Sequence, residues 1–189
     1  MRELQWIGGP SFTFRLKPGE VLCISGPSGS GKSRLLRALA DLDAAEGDVA
    51  LNGRSRAAMP AHHWRARVRY CAAEPAWWAQ HVGDHFPEQP DGRALDALGL
   101  NPSLLGRPVA QTSTGERQRL ALLRALQPMP DVFLLDEPTS ALDPDTAARV
   151  ERWVSSVVGA ARCALVVTHD CALADRLNAP IVSLEALAA

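Results

Sequence analysis

The chain has 189 residues, 47% of them hydrophobic, enough for one well-packed core or for a domain with a small lobe. A formal net charge of −1 and a pI near 6.5 give no reason to expect nucleic acid or an anionic membrane surface as partner. No apolar run approaches the ~20 residues that cross a bilayer. Met1-Arg2-Glu3-Leu4-Gln5-Trp6 lacks the apolar stretch of a secretory signal, so a cytoplasmic protein is expected, meeting a membrane only through a partner. Cys23, Cys71, Cys163 and Cys171 form no C-x-x-C pair; three sit in or beside expected strands, and they read as buried, reduced thiols. His81 and His85 are four apart, but with no third ligand in the sequence they read as a solvated helix face.

In chain order, residues 3–7 and 12–16 predict short strands, the second alternating cleanly through Phe12-Thr13-Phe14-Arg15-Leu16. Trp6 either fills the core or offers its face to a base. After the turn Lys17-Pro18-Gly19-Glu20, the apolar run Val21-Leu22-Cys23-Ile24-Ser25 predicts a buried strand, and residues 33–40 carry helical periodicity. Between them stands Gly26-Pro27-Ser28-Gly29-Ser30-Gly31-Lys32-Ser33, which satisfies G-x-x-x-x-G-K-[ST], a phosphate-binding P-loop. A strand turning through glycines into a helix aims several backbone N–H groups and the positive helix end at one point. Lys32 would bridge the terminal phosphates of a nucleotide, and the Ser33 hydroxyl would ligate Mg²⁺.

Residues 46–53 predict a strand closed by a hairpin-type Asn52-Gly53 turn, and residues 54–66, rich in Arg and His, an exposed connection. Strand character returns over 68–73. From Glu74 to about Gln111 five prolines break the chain into short helical pieces, opened by Trp77-Trp78, which serve either as core or as an exposed docking surface. This stretch reads as a small helical lobe, approximately 74–127, inserted in a single 1–189 domain. Thr112-Ser113-Thr114-Gly115-Glu116 opens a helix to about Leu126, capped by Ser113 or Thr114. A buried strand over 131–136, a helix from Pro144 to about Val158, a strand over 164–168, a short helix over 171–177 and a strand over 181–184 complete the chain. The fold class is α/β with a mostly parallel core sheet, preceded by an antiparallel β portion.

Two further signals turn nucleotide binding toward hydrolysis. Asp136 ends a core strand and would face the P-loop, where it can hold Mg²⁺ through water. Glu137 follows it, placed to orient and deprotonate an attacking water. His169 follows the next core strand in the same way and is placed for the γ-phosphate.

These residues, in this order, resemble the ATP-binding cassette (ABC) ATPases, over nearly the whole chain and including the P-loop NTPase fold. Gly26 to Ser33 is similar to the Walker A motif and Val132 to Asp136 with Glu137 to Walker B. Ser140-Ala141-Leu142-Asp143 is similar to the D-loop, and His169 to the switch histidine. Ser113-Thr114-Gly115-Glu116-Arg117-Gln118-Arg119 resembles the signature segment. The resemblance implies ATP and Mg²⁺ as ligands and a head-to-tail pair of nucleotide-binding domains, identical or not. Ser113 and Gly115 would then reach a phosphate held by the opposite subunit, Asp143 would join the nucleotide interface, and Trp6 would stack on adenine. It also implies a separate transmembrane permease subunit as partner, at the inner face of the plasma membrane. Three positions depart from the pattern: Ala73 stands for the Q-loop glutamine, Thr112 for the usual Leu, and Thr114 for the first signature Gly. The compact lobe is similar to small bacterial ATPases of the YbbL/FetA type, linked to metal export, and next to the haem-exporter ATPases of cytochrome c maturation. Two other classes remain: a soluble ABC ATPase of translation or DNA repair, and a nucleotide-gated module that barely hydrolyses.

Overall fold

The computed structural model describes residues 2–6 and 9–188. Its centre is a five-stranded parallel sheet of β3 (Val21–Ser25), β7 (Val68–Cys71), β8 (Val132–Asp136), β9 (Cys163–Val167) and β10 (Ile181–Ser183), in the order β10-β3-β9-β8-β7. These are the apolar runs of the sequence, and they are apolar on both faces because both faces are covered. Alternate side chains divide between two cores. Cys23, Phe133, Leu135, Ala164 and Val166 point into one, shared with helices α4 (Thr114–Ala125), α5 (Pro144–Val158) and α6 (Cys171–Arg176). Leu22, Ile24, Leu134, Leu165 and Val167 point into the other, shared with α1 (Lys32–Leu39) and α2 (Ala61–Arg67). The helices that open after the P-loop and at the signature segment therefore lie on opposite faces of the sheet.

The antiparallel portion holds β1 (Arg2–Gln5), flanked by β2 (Ser11–Phe12) and β4 (Glu46–Asp48). The expected second strand is shorter than its alternation suggests. Only Phe12 and Ser11 pair, with Leu4 and Gln5, because Glu3, opposite Thr13, takes a left-handed φ of 49° and its amide bonds the Thr13 hydroxyl (3.0 Å) instead of continuing the ladder. Of the expected first strand, Ile7 lies outside the described residues. Residues 46–53 split into two strands: β4 joins β1, and β5 (Ala50–Leu51) forms a hairpin with β6 (Arg54–Ser55). Asn52 and Gly53 both take positive φ in its two-residue turn, as the Asn-Gly pair predicts.

The reading of 54–66 as an exposed connection is corrected. It contains β6, a 3-10 turn and α2, and Trp64 on α2 is only 1% exposed. The Trp64 indole N–H donates to the Leu39 carbonyl at the end of α1 (2.9 Å). His62, His63 and Arg65 face outward, while Trp64 and Arg56, which donates to the Ala38 carbonyl (2.8 Å), anchor the segment to the end of α1.

Residues 74–111 form 3-10 turns at Val82–His85, Pro102–Gly106 and Val109–Gln111 around α3 (Gly92–Ala97). Val82, Leu95, Leu98, Leu100 and Leu104 join the same hydrophobic cluster as α4, α5 and the sheet, so the lobe shares its core with the main body. The tryptophan pair divides. Trp77 packs on that cluster, whereas Trp78 is 71% exposed. His85 sits edge-on to both rings, its Nε2 accepting from the Trp78 and Ala79 amides and its Nδ1 facing the His81 carbonyl. With both nitrogens engaged in the backbone, His85 is structural. A last helix, α7 (Leu184–Leu187), follows β10.

Candidate nucleotide site

Strands β3, β9 and β8 are neighbours in one parallel sheet, so their C-terminal ends share an edge. β3 delivers the P-loop there, β9 delivers Thr168 and His169, and β8 delivers Asp136 and Glu137. Carboxyl ends of parallel strands are where such sheets place their ligands.

In the P-loop, Gly26, Gly29 and Gly31 all have positive φ, which curls successive N–H groups around one concavity. Gly31 has a second reason to be glycine: a Cβ there would stand 2.9 Å from the Trp6 ring. Lys32 is 6% exposed, and its ammonium donates to the carbonyls of Gly26 (2.7 Å) and Pro27 (2.8 Å). Among the described residues no carboxylate pairs with Lys32, which leaves its charge to meet an anion. The buried Ser30 hydroxyl has no partner within the protein. An orphaned hydroxyl, an unpaired ammonium and a ring of N–H groups together fit a polyphosphate.

Trp6 is buried against this loop. Its ring stacks on Phe12 with centroids 5.2 Å apart, and the Arg34 guanidinium of α1 stands 5.4 Å over it. The aromatic thus stands beside the P-loop as a core residue.

Asp136 is 5% exposed and accepts from the Tyr70 hydroxyl at Oδ2 (2.9 Å). It shares a strand face with Leu134, which packs among Leu35 and Leu36 of α1, so its carboxylate lies on the P-loop side of the sheet. Ser33, in the first turn of α1, and Asp136 supply hard oxygen donors of the kind Mg²⁺ takes when phosphates provide the rest. Among the described residues no cluster of three or more His, Cys, Asp or Glu forms a site of its own for a metal.

Glu137 leaves the strand at φ 45°, a left-handed conformation that costs a non-glycine residue roughly 1 kcal/mol or more. Its amide still bonds the Val167 carbonyl (2.9 Å), and its Oε1 comes 3.2 Å from Nε2 of His169. The Glu137 carbonyl accepts from Gln118 Nε2 (2.9 Å) and the Ser140 hydroxyl (3.1 Å). Gln118 Oε1 accepts from the Ala141 amide (3.3 Å), so one buried side chain of α4 holds both the Glu137 turn and the segment after it. Sequence reading passed over Gln118. Its signal was an amide at a position where α4 turns its apolar face inward.

Ser113 is the N-cap of α4 through a reciprocal pair, its hydroxyl accepting from the Glu116 amide (3.1 Å) and its own amide donating to Glu116 (2.7 Å). That cap holds the Glu116 carboxyl below its usual range, through the Ser113 amide first. Gly115 lies against Leu142, where a Cβ would sit 3.1 Å from the leucine side chain. Asp143 is the N-cap of α5, accepting from the Thr146 amide (3.0 Å). Gly115 therefore meets the segment that leads into Asp143, while α4 itself packs on the face of the sheet opposite α1. Behind them Arg176 of α6 grips the buried Glu151 of α5 at both oxygens (2.5 and 2.8 Å) and Asp170 (2.9 Å), bracing the segment that carries His169. Its guanidinium pKa is pushed up by these carboxylates, the Glu151 hydrogen bond above all.

The profile of the ABC transporter family matches residues 10–140. The probable iron export ATP-binding protein FetA of Escherichia coli (strain K12) is 37% identical over 173 residues, covering 85% of this chain and 77% of FetA. The aliphatic sulfonates import ATP-binding protein SsuB of Cupriavidus necator is 41% identical over 174 residues, 85% of this chain and 56% of SsuB. The Fe(3+) ions import ATP-binding protein FbpC of Streptomyces coelicolor is 40% identical over 176 residues. The chain spans about half the length of FbpC, 50%, and 84% of its own length is matched. Among solved structures, the dimeric post-hydrolysis state of the ATP-binding cassette MJ0796 bound to ADP and Pi superposes with a TM-score of 0.71 at 24% identity, covering 88% of this chain and 82% of that one. A bacterial Atm1-family ABC exporter with ATP bound gives 0.74 at 24% identity, covering 87% of this chain and 32% of the exporter. Both carry the fold. The chain belongs to the ABC transporter family. It is an ATP-binding ATPase of that family.

Proposed function

We propose that this chain binds ATP with Mg²⁺ at the edge built from β3, β8 and β9 and hydrolyses it to drive a separate transmembrane subunit. The observation that carries the proposal is the convergence there of the P-loop, Asp136, Glu137 and His169, the last two 3.2 Å apart. Lys32 exchanges its two carbonyl partners for phosphate oxygens, and the N–H groups of residues 26–33 hold the polyphosphate. Ser33 and Asp136 would hold Mg²⁺, which supplies charge neutralisation at the phosphates when bound. Glu137, fixed by Gln118 and Ser140 through its carbonyl, orients a water and takes its proton. His169 holds the Glu137 carboxylate in place and reaches for the terminal phosphate. Trp6 offers its ring to the base once Arg34 swings off its face.

Ser113, Gly115 and Asp143 belong to a second half-site. Because α4 and α1 occupy opposite faces of the sheet, the signature end of one chain serves the P-loop of another, and two cassettes close head to tail. Closure assembles the site and hydrolysis reopens it. Trp78, exposed on the lobe, is the contact for the membrane subunit, and through that subunit the chain sits at the inner face of the membrane. Among the described residues no helix is long and apolar enough to cross a membrane. Similarity to FetA supports a transporter of that compact type, with cargo chosen in the membrane subunit.

The test is a Glu137→Gln variant with a steady-state ATPase assay and calorimetry of ATP binding. Hydrolysis is expected to fall at least about 100-fold while ATP affinity stays within about threefold. Hydrolysis at the wild-type rate would remove Glu137 from the mechanism. Co-purification from detergent-solubilised membranes of the source cell should yield one multi-helix protein in near-equal amount. Recovery of soluble partners alone would contradict the transporter reading.

A further inference from the structure

Tyr70 is the side chain by which β7 reaches the Asp136 carboxylate. β7 and β8 run parallel with Tyr70 opposite Leu134, and Asp136 lies two residues farther along the same face of β8. Two residues of strand are about 6.6 Å, a span that a tyrosine side chain leaning along its strand covers. Its hydroxyl donates to Asp136 Oδ2 at 2.9 Å. Among the described residues this is the one hydrogen bond to the Asp136 side chain, on a carboxylate that is 5% exposed. A buried carboxylate with a single protein donor has one oxygen fixed and the other left for a ligand. The Tyr70 ring is itself held among Leu134, Val132 and the apolar face of α1, so the hydroxyl is delivered from a packed position. Farther along the same chain segment Ala73 presents only a methyl group, and Tyr70 is the polar side chain that β7 extends to Asp136.

We propose that Tyr70 is a positioning residue for Mg²⁺. It fixes the rotamer of Asp136, turns its free oxygen toward the nucleotide, and so sets how tightly the nucleotide complex holds its metal. The proposal rests on the reading of Asp136 as part of the nucleotide site. It gives β7, a strand with no catalytic side chain, a function in the site. Groups that orient a ligand from behind typically matter by 10- to 100-fold in metal affinity.

The experiment is a Mn²⁺ titration of the protein with saturating ATP analogue that cannot be hydrolysed, read by electron paramagnetic resonance, on wild type, Tyr70→Phe, Asp136→Asn and the double variant. Calorimetry of the analogue in the presence of a chelator gives the metal-free affinity. Tyr70→Phe is expected to weaken Mn²⁺ binding about tenfold with metal-free affinity within about twofold. In the Asp136→Asn background it should add nothing, since Tyr70 acts through that carboxylate. Unchanged Mn²⁺ affinity in Tyr70→Phe, or a parallel loss of metal-free affinity, would overturn the role of Tyr70 while leaving the nucleotide site standing. A full additional loss on top of Asp136→Asn would overturn it too. If the wild type bound no Mn²⁺ with the nucleotide, the site reading and this inference would fall together.

Discussion

Glu116 shows how a single carboxylate can serve a helix end. Its side chain accepts from the Ser113 amide while the Ser113 hydroxyl accepts from its own, closing two of the bonds that a helix N-terminus leaves open. The folded state favours the ionised carboxyl, so its pKa is depressed. A depressed carboxyl contributes stability above its unfolded value, about 4.3, and loses it as pH falls through the folded one. Glu116→Gln keeps the shape and the acceptor but not the charge. In urea denaturation the variant should therefore be less stable than wild type at pH 7. The gap should shrink below pH of about 4 and vanish in stronger acid. A gap that widened with acid would contradict the assignment.

Burial also separates the four cysteines, all of which are free. It pushes the thiols of Cys23 and Cys163 up to about 11 and that of Cys71 up to about 12, and Cys171 stands exposed at the start of α6. The expectation of buried thiols, three of them in or beside strands, agrees with Cys23 and Cys71, places Cys163 in β9 but only half-buried, and misses the exposure of Cys171, because a six-residue helix is too short for periodicity to place one face.

Elements were legible in the sequence where a repeating physical constraint wrote them. β3, β8 and β9 are covered on both faces and so are continuous apolar runs, and α5 carries Asp143 and Pro144 at its start, where cap and first-turn chemistry ask for them. The P-loop was legible for another reason: wrapping an anion with backbone needs glycines at fixed intervals. What escaped was written in single contacts. α2 is seven residues with one buried side chain, Trp64, and its polar majority hid it. Gln118 and Tyr70 escaped for the same reason, since each reaches one partner across a long separation in sequence. The truncation of β2 escaped because alternation describes a strand's faces and says nothing of its partner. α2 offers the sharpest check at this scale. Trp64→Ala removes a fully buried indole and the bond that ties α2 to α1, and should destabilise the protein by about 3–5 kcal/mol in equilibrium denaturation. A cost under about 1 kcal/mol would show that α2 is a loosely held surface segment, as its composition suggests.

For the whole molecule, the division of the sheet into two faces is what matters. One face carries α1 and the P-loop, the other carries α4 and its capped N-terminus, and both reach the edge where β3, β8 and β9 end. Glu137 and His169 stand on that edge, with Gln118 joining the Glu137 turn to the signature helix. In the proposed mechanism a change at the phosphate passes through Gln118 to α4, and the lobe with exposed Trp78 shares one continuous core with that helix. In that mechanism the shared core carries nucleotide state to a partner docked on the lobe.

The most direct test of this account is sedimentation velocity on the Glu137→Gln variant with and without ATP and Mg²⁺. Trapped before hydrolysis, the variant should be a monomer without nucleotide and a dimer with it, and Ser113→Arg, which blocks the second half-site, should keep it monomeric. A variant that bound ATP by calorimetry yet stayed monomeric at saturating nucleotide would contradict the shared site and with it the central claim.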